Sequence, residues 1–178
     1  MAITLDTGKI HPATEAAIQA LQWLQERAAP TNILDLGCGD GILSVTAAHI
    51  WDAQVLGADI SPNAVADATR LVKEHGLEER MTVVRSDGFS NPQLAASAPY
   101  DLIIANLVAE LLLKFAPVIQ KSMAPGGLCL LSGILAWMTP QIEAIYQGLG
   151  FEIVERITFT PWHGYILKYV NTVTIDRP

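Results

Sequence analysis

The residues best suited to chemistry lie in a glycine-rich loop between an apolar strand and a helix. The segment runs from Leu34 to Ile42 and contains Gly37, Gly39 and Gly41. Glycines permit the positive φ angles of a tight turn and let the backbone come close to a ligand. An ordinary turn between a strand and a helix has the same composition, so the loop alone leaves both interpretations open.

An acidic residue at the end of the next strand favours a nucleoside-type ligand. Asp59 lies twenty residues after Gly39. At this distance an acidic side chain reaches the ribose hydroxyls of a nucleotide bound over the first strand. The alternative is that Asp59 caps the following helix, but Ser61 is better placed for capping.

The same loop indicates which nucleoside it binds. In a dinucleotide fingerprint the third glycine stands at the position of Ile42, whereas here the third glycine is Gly41. A pyrophosphate would have to bind at the helix N-terminus, and Asp40 places a repelling negative charge there. A cationic ligand without phosphate fits better, and S-adenosylmethionine has a ribose and a sulfonium. A nucleotide-dependent oxidoreductase is correspondingly disfavoured.

Helix and strand patterns alternate along the chain, which predicts an α/β domain with helices on both faces of a mostly parallel sheet. We expect helices at residues 12–29, 42–50, 62–75, 107–123 and 140–149. We expect strands at residues 32–36, 54–58, 81–85, 100–105, 128–132, 151–159 and 165–170, the last two antiparallel. Ser61 and Pro62 begin the third helix, and Gly76 ends it.

Length and composition exclude several classes of protein. The 178 residues fit one domain, with a lead-in at 1–11 and a frayed tail at 171–178. Half of the residues are apolar, which excludes a disordered chain, yet no apolar run is long enough to span a membrane. A net charge of −7 argues against nucleic acid as the main partner. Cys38 and Cys129 are far apart, which indicates reduced thiols and a cytoplasmic location, and no metal-ligand spacing is present.

The pattern D-x-G-x-G-x-G, with an acid closing the second strand, resembles the class I methyltransferases that use S-adenosylmethionine. The resemblance implies that Asp35 helps to hold the methionine portion of this cofactor. It also implies that Asp87 and Gly88, after the third strand, lie beside the adenine amino group. A plain Asp-Gly turn remains the alternative at this position.

Four further segments are informative: HPAT at 11–14, GADISP at 57–62, IANLVA at 104–109 and LSGIL at 131–135. Together they resemble the catalytic domain of the PrmA methyltransferases, a family that methylates amino groups of the bacterial ribosomal protein L11. The resemblance covers residues 11–169 and implies a seven-stranded Rossmann-like sheet with the last strand antiparallel. It implies that the family's N-terminal recognition domain is not part of this chain. Together with the loop, it assigns cofactor binding to Thr14, Asp35, Gly37, Gly39, Asp59, Asp87, Gly88 and Asn106.

Asn106 is the candidate catalytic residue, because it follows the fourth strand at the edge where ligands of such sheets bind. Its amide can accept a hydrogen bond from an amine, although it is equally suited to cap a helix starting at Leu107. Leu107-Val108-Ala109 follows it, in place of the Pro-Pro-aromatic run of methyltransferases that act on nucleobases. No flat slot for a base is therefore indicated.

The methyl acceptor is open from sequence. The resemblance favours an amino group of a protein, such as a ribosomal protein, as the methyl acceptor. The alternatives are a small-molecule acceptor and a non-catalytic cofactor-binding subunit. Trp137 and Met138, after the fifth strand, are candidates for lining a substrate pocket. The sequence leaves the oligomeric state undetermined.

Overall fold

In the computed structural model, residues 10–170 are described. They form helices Pro12–Gln25 (α1), Ile42–Ile50 (α2), Pro62–Glu74 (α3), Pro92–Ala96 (α4), Ala109–Ser122 (α5) and Thr139–Gly148 (α6). The strands are Asn32–Leu36 (β1), Gln54–Asp59 (β2), Met81–Arg85 (β3), Tyr100–Asn106 (β4), Met123–Leu135 (β5), Phe151–Phe159 (β6) and Trp162–Tyr169 (β7). The tail expected to fray, 171–178, and most of the lead-in lie outside the described residues.

The seven strands form one sheet in the order β3-β2-β1-β4-β5-β7-β6. β1 to β5 run parallel, and β7 pairs antiparallel with both β5 and β6. The expected sheet, with its last strand antiparallel, is confirmed. Because β1, β2, β4 and β5 are parallel, their carboxyl ends share one edge of the sheet, which we call the carboxyl edge.

Helices cover both faces of the sheet, as predicted. Successive residues of β1 point to opposite faces: Ile33 joins the apolar cluster under α1, α2 and α3, and Leu34 joins the cluster under α5 and α6. Burial on both faces explains why the strands are continuous apolar runs. The free cysteines Cys38 and Cys129 are both buried, as expected.

The first helix is shorter than predicted, because it ends at Gln25 instead of residue 29. Pro30 disfavours a helical conformation for the residue before it. The indole nitrogen of Trp51 donates to the carbonyl oxygen of Ala28 at 2.9 Å, which holds the chain in its new direction. The third helix follows the prediction, since Ser61 caps it and Gly76 beyond its end has φ of 64°.

The fifth strand is much longer than the predicted 128–132, and this extension shapes the carboxyl edge. Beyond Ser132, which pairs with the last residue of β4, it continues to Leu135. Leu135 pairs with Trp162 of β7, so the end of β5 and the start of β7 project past the end of β4. The short helix α4 was not predicted.

No helix among residues 10–170 has the length and apolar character needed to cross a membrane. In the same part of the chain, no cluster of three or more His, Cys, Asp or Glu side chains is arranged to hold a metal ion.

Candidate active site

The glycine loop is held against β2 by its backbone. The amide nitrogens of Gly37 and Cys38 both donate to the carbonyl oxygen of Ala58, at 2.8 and 3.0 Å. A β-carbon at Gly41, where φ is 88°, would lie 2.9 Å from Cβ of Ala68 on α3, whereas one at Gly39 would meet no atom within 4 Å. The loop is therefore packed on the helix side and open at Gly39.

Asp59 fixes the shape of this loop from the end of β2. Its Oδ2 accepts a hydrogen bond from the backbone nitrogen of Gly39, and its Oδ1 accepts one from that of Ser61, both at 2.9 Å. The first turn of α3 is capped by the hydroxyl of Ser61, which accepts from Ala64 at 3.3 Å, so the capping alternative for Asp59 is wrong. A carboxylate has about four acceptor positions, and the two left over suit ribose hydroxyls.

Asp35 lies beneath the loop and not in its open face. Its side chain is 1% exposed and accepts a hydrogen bond of 2.5 Å from the hydroxyl of Ser44. Burial raises the pKa of Asp35 from 3.8 to about 7, against the opposing effect of the Ser44 hydrogen bond, and the nearby Asp59 and Asp40 add to the rise. Asp35 thus connects β1 to α2, the two elements that the loop joins, and its contact with the methionine portion stays a prediction.

Ser44 is the residue of this region that sequence reasoning missed. It belongs to α2, a helix of mostly apolar residues, and is fully buried. A serine at an inward position of such a helix is the available signal, because a buried hydroxyl requires a hydrogen-bond partner.

Asn106 stands at the end of β4 and is linked to the start of α1. Its Nδ2 donates to the hydroxyl of Thr14 at 3.0 Å. The hydroxyl of Ser132 donates to the carbonyl oxygen of Ala13 at 2.9 Å, which also holds α1 over the strand ends. α5 begins at Ala109 with Val108 as its N-cap, so the alternative that Asn106 caps this helix is wrong. With its nitrogen bound to Thr14, the amide keeps its carbonyl oxygen to accept from a ligand.

Asp87 and Gly88 form a turn after β3. The backbone nitrogen of Ser90 donates to the carbonyl oxygen of Asp87 at 3.0 Å, and the hydroxyl of Ser90 accepts from the backbone nitrogen of Asp87 at 3.1 Å. A β-carbon at Gly88 would collide with the ring of Phe115. These contacts explain the pair as a turn, and its role beside an adenine stays a prediction.

Aromatic residues lie where β5 and β7 extend past the end of β4. The ring of His11 lies 5.0 Å from that of Trp162, edge to face, and Nδ1 of His11 accepts from the backbone nitrogen of Ala13 at the start of α1. Trp137 is 71% exposed just beyond β5, whereas Met138 packs in the core. The expectation that Met138 lines a pocket is therefore wrong, and that for Trp137 stays a prediction.

A groove of about 640 Å³ lies at the opposite edge of the sheet. Its walls include Trp23, Arg27, Asp101 and Lys168. The Asp101 carboxylate accepts hydrogen bonds from the backbone and hydroxyl of Thr31 and from the backbone of Asn32, so it connects the amino ends of β1 and β4. None of the predicted site residues lines this groove.

Comparison with known protein families shows which family the chain belongs to. The family model described as "Ribosomal protein L11 methyltransferase (PrmA)" matches residues 2–169. The chain belongs to the PrmA family. PrmA relatives named "Ribosomal protein L11 methyltransferase" come from Brucella melitensis biotype 2, with 32% identity over 94% of this chain, and Bradyrhizobium diazoefficiens, with 31% over 96%. The chain spans 61% and 57% of the length of these two relatives.

One solved structure agrees with the PrmA assignment, and a second shares the fold. The ribosomal protein L11 methylase of Lactobacillus delbrueckii subsp. bulgaricus superimposes with a TM-score of 0.76 and 25% identity, over 93% of this chain and 83% of that chain. An RNA methyltransferase from Salinibacter ruber, solved with S-adenosyl-L-homocysteine, shares the fold, with a TM-score of 0.67 and 16% identity over 94% of this chain and 97% of that chain.

Proposed function

We propose that this PrmA-family chain binds S-adenosylmethionine at the carboxyl edge and transfers its methyl group to an amino group of a protein, ribosomal protein L11 or one like it. The observation that carries the proposal is the arrangement of Gly39, Asp59 and Asn106. The first two form an open cradle at the ends of β1 and β2, and Asn106 ends the neighbouring strand β4.

The residues at the cradle fit the proposed methyl donor. Gly39 leaves open space in front of the loop, and Asp59 retains acceptor positions for two hydroxyls. The carboxylates of Asp40 and Asp59 suit a ligand with a sulfonium and an ammonium group, and they disfavour a pyrophosphate. When bound, S-adenosylmethionine supplies a methyl group that is already activated for displacement by a nitrogen lone pair.

The protein must then deliver a neutral amine along the line of the bond that breaks. A lysine amine has a pKa of roughly 10.4 in water and is mostly charged at neutral pH. An apolar surrounding favours the neutral form, and Asn106 can hold that amine through its carbonyl oxygen, which leaves the lone pair free. The lysine ammonium first releases one proton to solvent. The nitrogen lone pair then forms the N–C bond as the carbon–sulfur bond of the methyl donor breaks, so the neutral thioether leaves and the methylated nitrogen carries the positive charge.

Asn106 is in turn positioned by α1. Its amide nitrogen is bound to Thr14, and the neighbouring bond from Ser132 to Ala13 fixes the beginning of the helix. A pre-set amide needs no rearrangement during transfer, which is the advantage of preorganised polar groups. Thr14 therefore acts through Asn106 in this proposal, in addition to the cofactor contact that the family resemblance implies.

Methyl-label transfer from S-adenosylmethionine tests the proposal. The purified chain is incubated with purified ribosomal protein L11, and separately with a cell extract split into protein and small-molecule fractions. We expect label on L11 or on another protein, at lysine or at a terminal amine. Label confined to small molecules would replace the acceptor class, and no label in any fraction would contradict the proposed activity.

We also infer a cytoplasmic location and a protein partner in preference to nucleic acid. Free, buried cysteines are typical of a reducing compartment. The net charge of −7 repels a phosphate backbone.

A further inference from the structure

We propose that four side chains around Asn106, namely Glu15, Val108, Glu110 and Trp137, form a docking surface for a cationic polypeptide segment that carries the methylated amine. We call these four residues the acceptor rim. The inference rests on the proposed function, because it describes how the acceptor reaches that site.

The first observation is where the structure exposes large apolar side chains. Among the described residues, Trp137, Ile60 and Val108 are the most exposed of this type, at 71%, 59% and 57%. Each follows the carboxyl end of a strand: Ile60 follows β2, Val108 follows β4, and Trp137 follows β5. Exposed apolar side chains grouped at one site indicate a binding surface.

A continuous set of contacts places Trp137 on the same side as Asn106. Asn106 binds Thr14 near the start of α1, where the His11 ring contacts Trp162. Trp162 pairs with Leu135, which ends β5 two residues before Trp137. Val108 lies two residues beyond Asn106, and the backbone nitrogen of Leu107 between them donates to the carbonyl oxygen of Ser132 in β5 at 3.2 Å.

The second observation is the sign of the charge. Glu15 lies in the first turn of α1, next to Thr14, and Glu110 lies in the first turn of α5; both are exposed. Asp40 is an exposed carboxylate of the glycine loop at the same edge. Acidic groups around an entrance attract cationic partners and raise their rate of association.

Two basic residues near this edge do not cancel the negative charge around Asn106. Nε of Arg85 donates to the carbonyl oxygen of Ile60, which follows β2 beside the proposed site of the methyl donor. The ammonium of Lys114 lies 5.3 Å from the ring centre of Phe115, the residue that packs against Gly88. Both therefore lie toward β2 and β3.

These features fit a polypeptide better than a small molecule. A small amine needs only Asn106 and the methyl donor, whereas a tryptophan and a valine that follow two different strands offer apolar contact beyond the amine itself. Tryptophan is the residue type most often found to dominate the free energy of binding at protein interfaces. The occupant that matches is a lysine with apolar neighbours in a segment of net positive charge.

Binding of a labelled peptide tests the rim without requiring turnover. The probe is a fluorescent peptide with one lysine flanked by leucines and with two arginines further out, measured by anisotropy in the presence of S-adenosylhomocysteine. We expect Trp137→Ala to weaken peptide binding at least tenfold and Val108→Ser about threefold. Val118→Ser, an exposed valine later in α5, is the matched control and leaves binding within twofold of the wild type.

The charge contribution is measured separately. The double variant Glu15→Gln/Glu110→Gln should weaken peptide binding about threefold to tenfold at low salt, and this difference should vanish near 0.5 M salt, where exposed charges are screened. Glu78→Gln, an exposed position between α3 and β3, serves as the control for a general change in net charge.

A third readout separates docking from the chemistry. Trp137→Ala should raise KM for the peptide by a larger factor than it lowers kcat, and should leave the calorimetric Kd of S-adenosylhomocysteine unchanged. A peptide that does not bind, or that binds Trp137→Ala as tightly as wild type, would overturn the rim. If the peptide is methylated equally well by Trp137→Ala, the proposed function stands and the rim is wrong. Rim-dependent peptide binding without any methyl transfer would support the rim and contradict the proposed function.

Discussion

The two sides of the carboxyl edge hold their functional groups in different ways. At the ends of β1 and β2, the carboxylates are hydrogen-bonded within the protein: Asp59 to Gly39 and Ser61, and Asp35 to Ser44. At the ends of β4 and β5, the acceptor rim is exposed to solvent, and the hydrogen bond between Asn106 and Thr14 joins residues far apart in the chain.

This difference separates the site of the methyl donor, which is common to such enzymes, from the site of the methyl acceptor, which is specific to each. A donor that is the same in every reaction suits a rigid, pre-set site, because ordering is completed on folding and not on binding. An acceptor that differs between enzymes suits exposed side chains on loops, which tolerate substitution. The comparison therefore predicts that changes on the donor side alter stability and cofactor affinity, while changes on the acceptor side alter turnover and KM.

The largest effect is expected from substitutions at two glycines of the glycine loop. Gly41→Ala adds a methyl group against Ala68 at a residue with positive φ, and we expect a loss of about 3 kcal/mol in unfolding free energy. Gly39→Ala carries only the φ penalty of about 1 kcal/mol, but its methyl group enters the cradle. Urea unfolding and calorimetry with S-adenosylhomocysteine measure both variants.

Gly39→Ala should therefore be more stable than Gly41→Ala. It should nevertheless bind S-adenosylhomocysteine at least tenfold more weakly than the wild type does. If Gly41→Ala unfolded no more easily than Gly39→Ala, the packing of the loop against α3 would not matter as described. If Gly39→Ala kept wild-type affinity, the cradle would not lie at Gly39.

On the acceptor side, Asn106→Ala should reduce kcat about 100-fold, which corresponds to about 2.7 kcal/mol, because the amine loses the group that orients it. The Kd of S-adenosylhomocysteine should change by less than threefold. Steady-state kinetics on the accepted substrate give the first value and calorimetry gives the second. Turnover within threefold of the wild type would remove Asn106 from the mechanism.

A third prediction concerns the pH dependence of the donor side. Because burial raises the pKa of Asp35 from 3.8 to about 7, the folded protein binds this proton more tightly than the unfolded chain does. The stabilising contribution of Asp35 is complete below pH 3.8 and is lost as the pH rises through about 7. Asp35→Asn has no such charge and can still accept from Ser44.

The stability of Asp35→Asn relative to the wild type should consequently increase from pH 5 to pH 8, by about 2 kcal/mol. Urea unfolding of both proteins at the two pH values gives the difference directly, and subtraction cancels the groups that they share. A difference that stays constant or shrinks would show that Asp35 titrates at its ordinary pKa.

The smallest effect is expected at the helix cap behind Asp59. Ser61→Ala removes the hydroxyl that accepts from Ala64, and should lower the unfolding free energy by about 1 kcal/mol. Ser61→Asp should restore most of this loss, since aspartate also caps helices well. Equal stability of Ser61→Ala and the wild type would mean that the cap is not needed to position the end of β2.

The donor side was largely predictable from sequence because its signals are local. The strand, the glycine loop and the helix after it follow one another, so β1 and α2 have the bounds that their residues predict, and Asp59 follows at a fixed spacing. Ser61 likewise indicates the start of α3, because its hydroxyl accepts a hydrogen bond from Ala64, only three residues later.

The acceptor side was less predictable because its contacts join distant parts of the chain. Thr14 and Asn106 are 92 residues apart, and Ala13 and Ser132 are 119 apart, so no local pattern indicates either pair. The extension of β5 depends on β7, which follows it much later in the sequence. The predicted start of α5 at residue 107 was wrong for the same reason, since the backbone nitrogen of Leu107 is bound to the carbonyl oxygen of Ser132 in β5.

Calorimetric titration with S-adenosylmethionine, S-adenosylhomocysteine and NAD tests the central assignment most directly. The account predicts one site for the first two ligands, no binding of NAD, and at least a tenfold loss of affinity in Asp59→Ala once folding of the variant has been checked by urea unfolding. Binding of NAD without binding of S-adenosylmethionine, or S-adenosylmethionine affinity unaffected in Asp59→Ala, would contradict it.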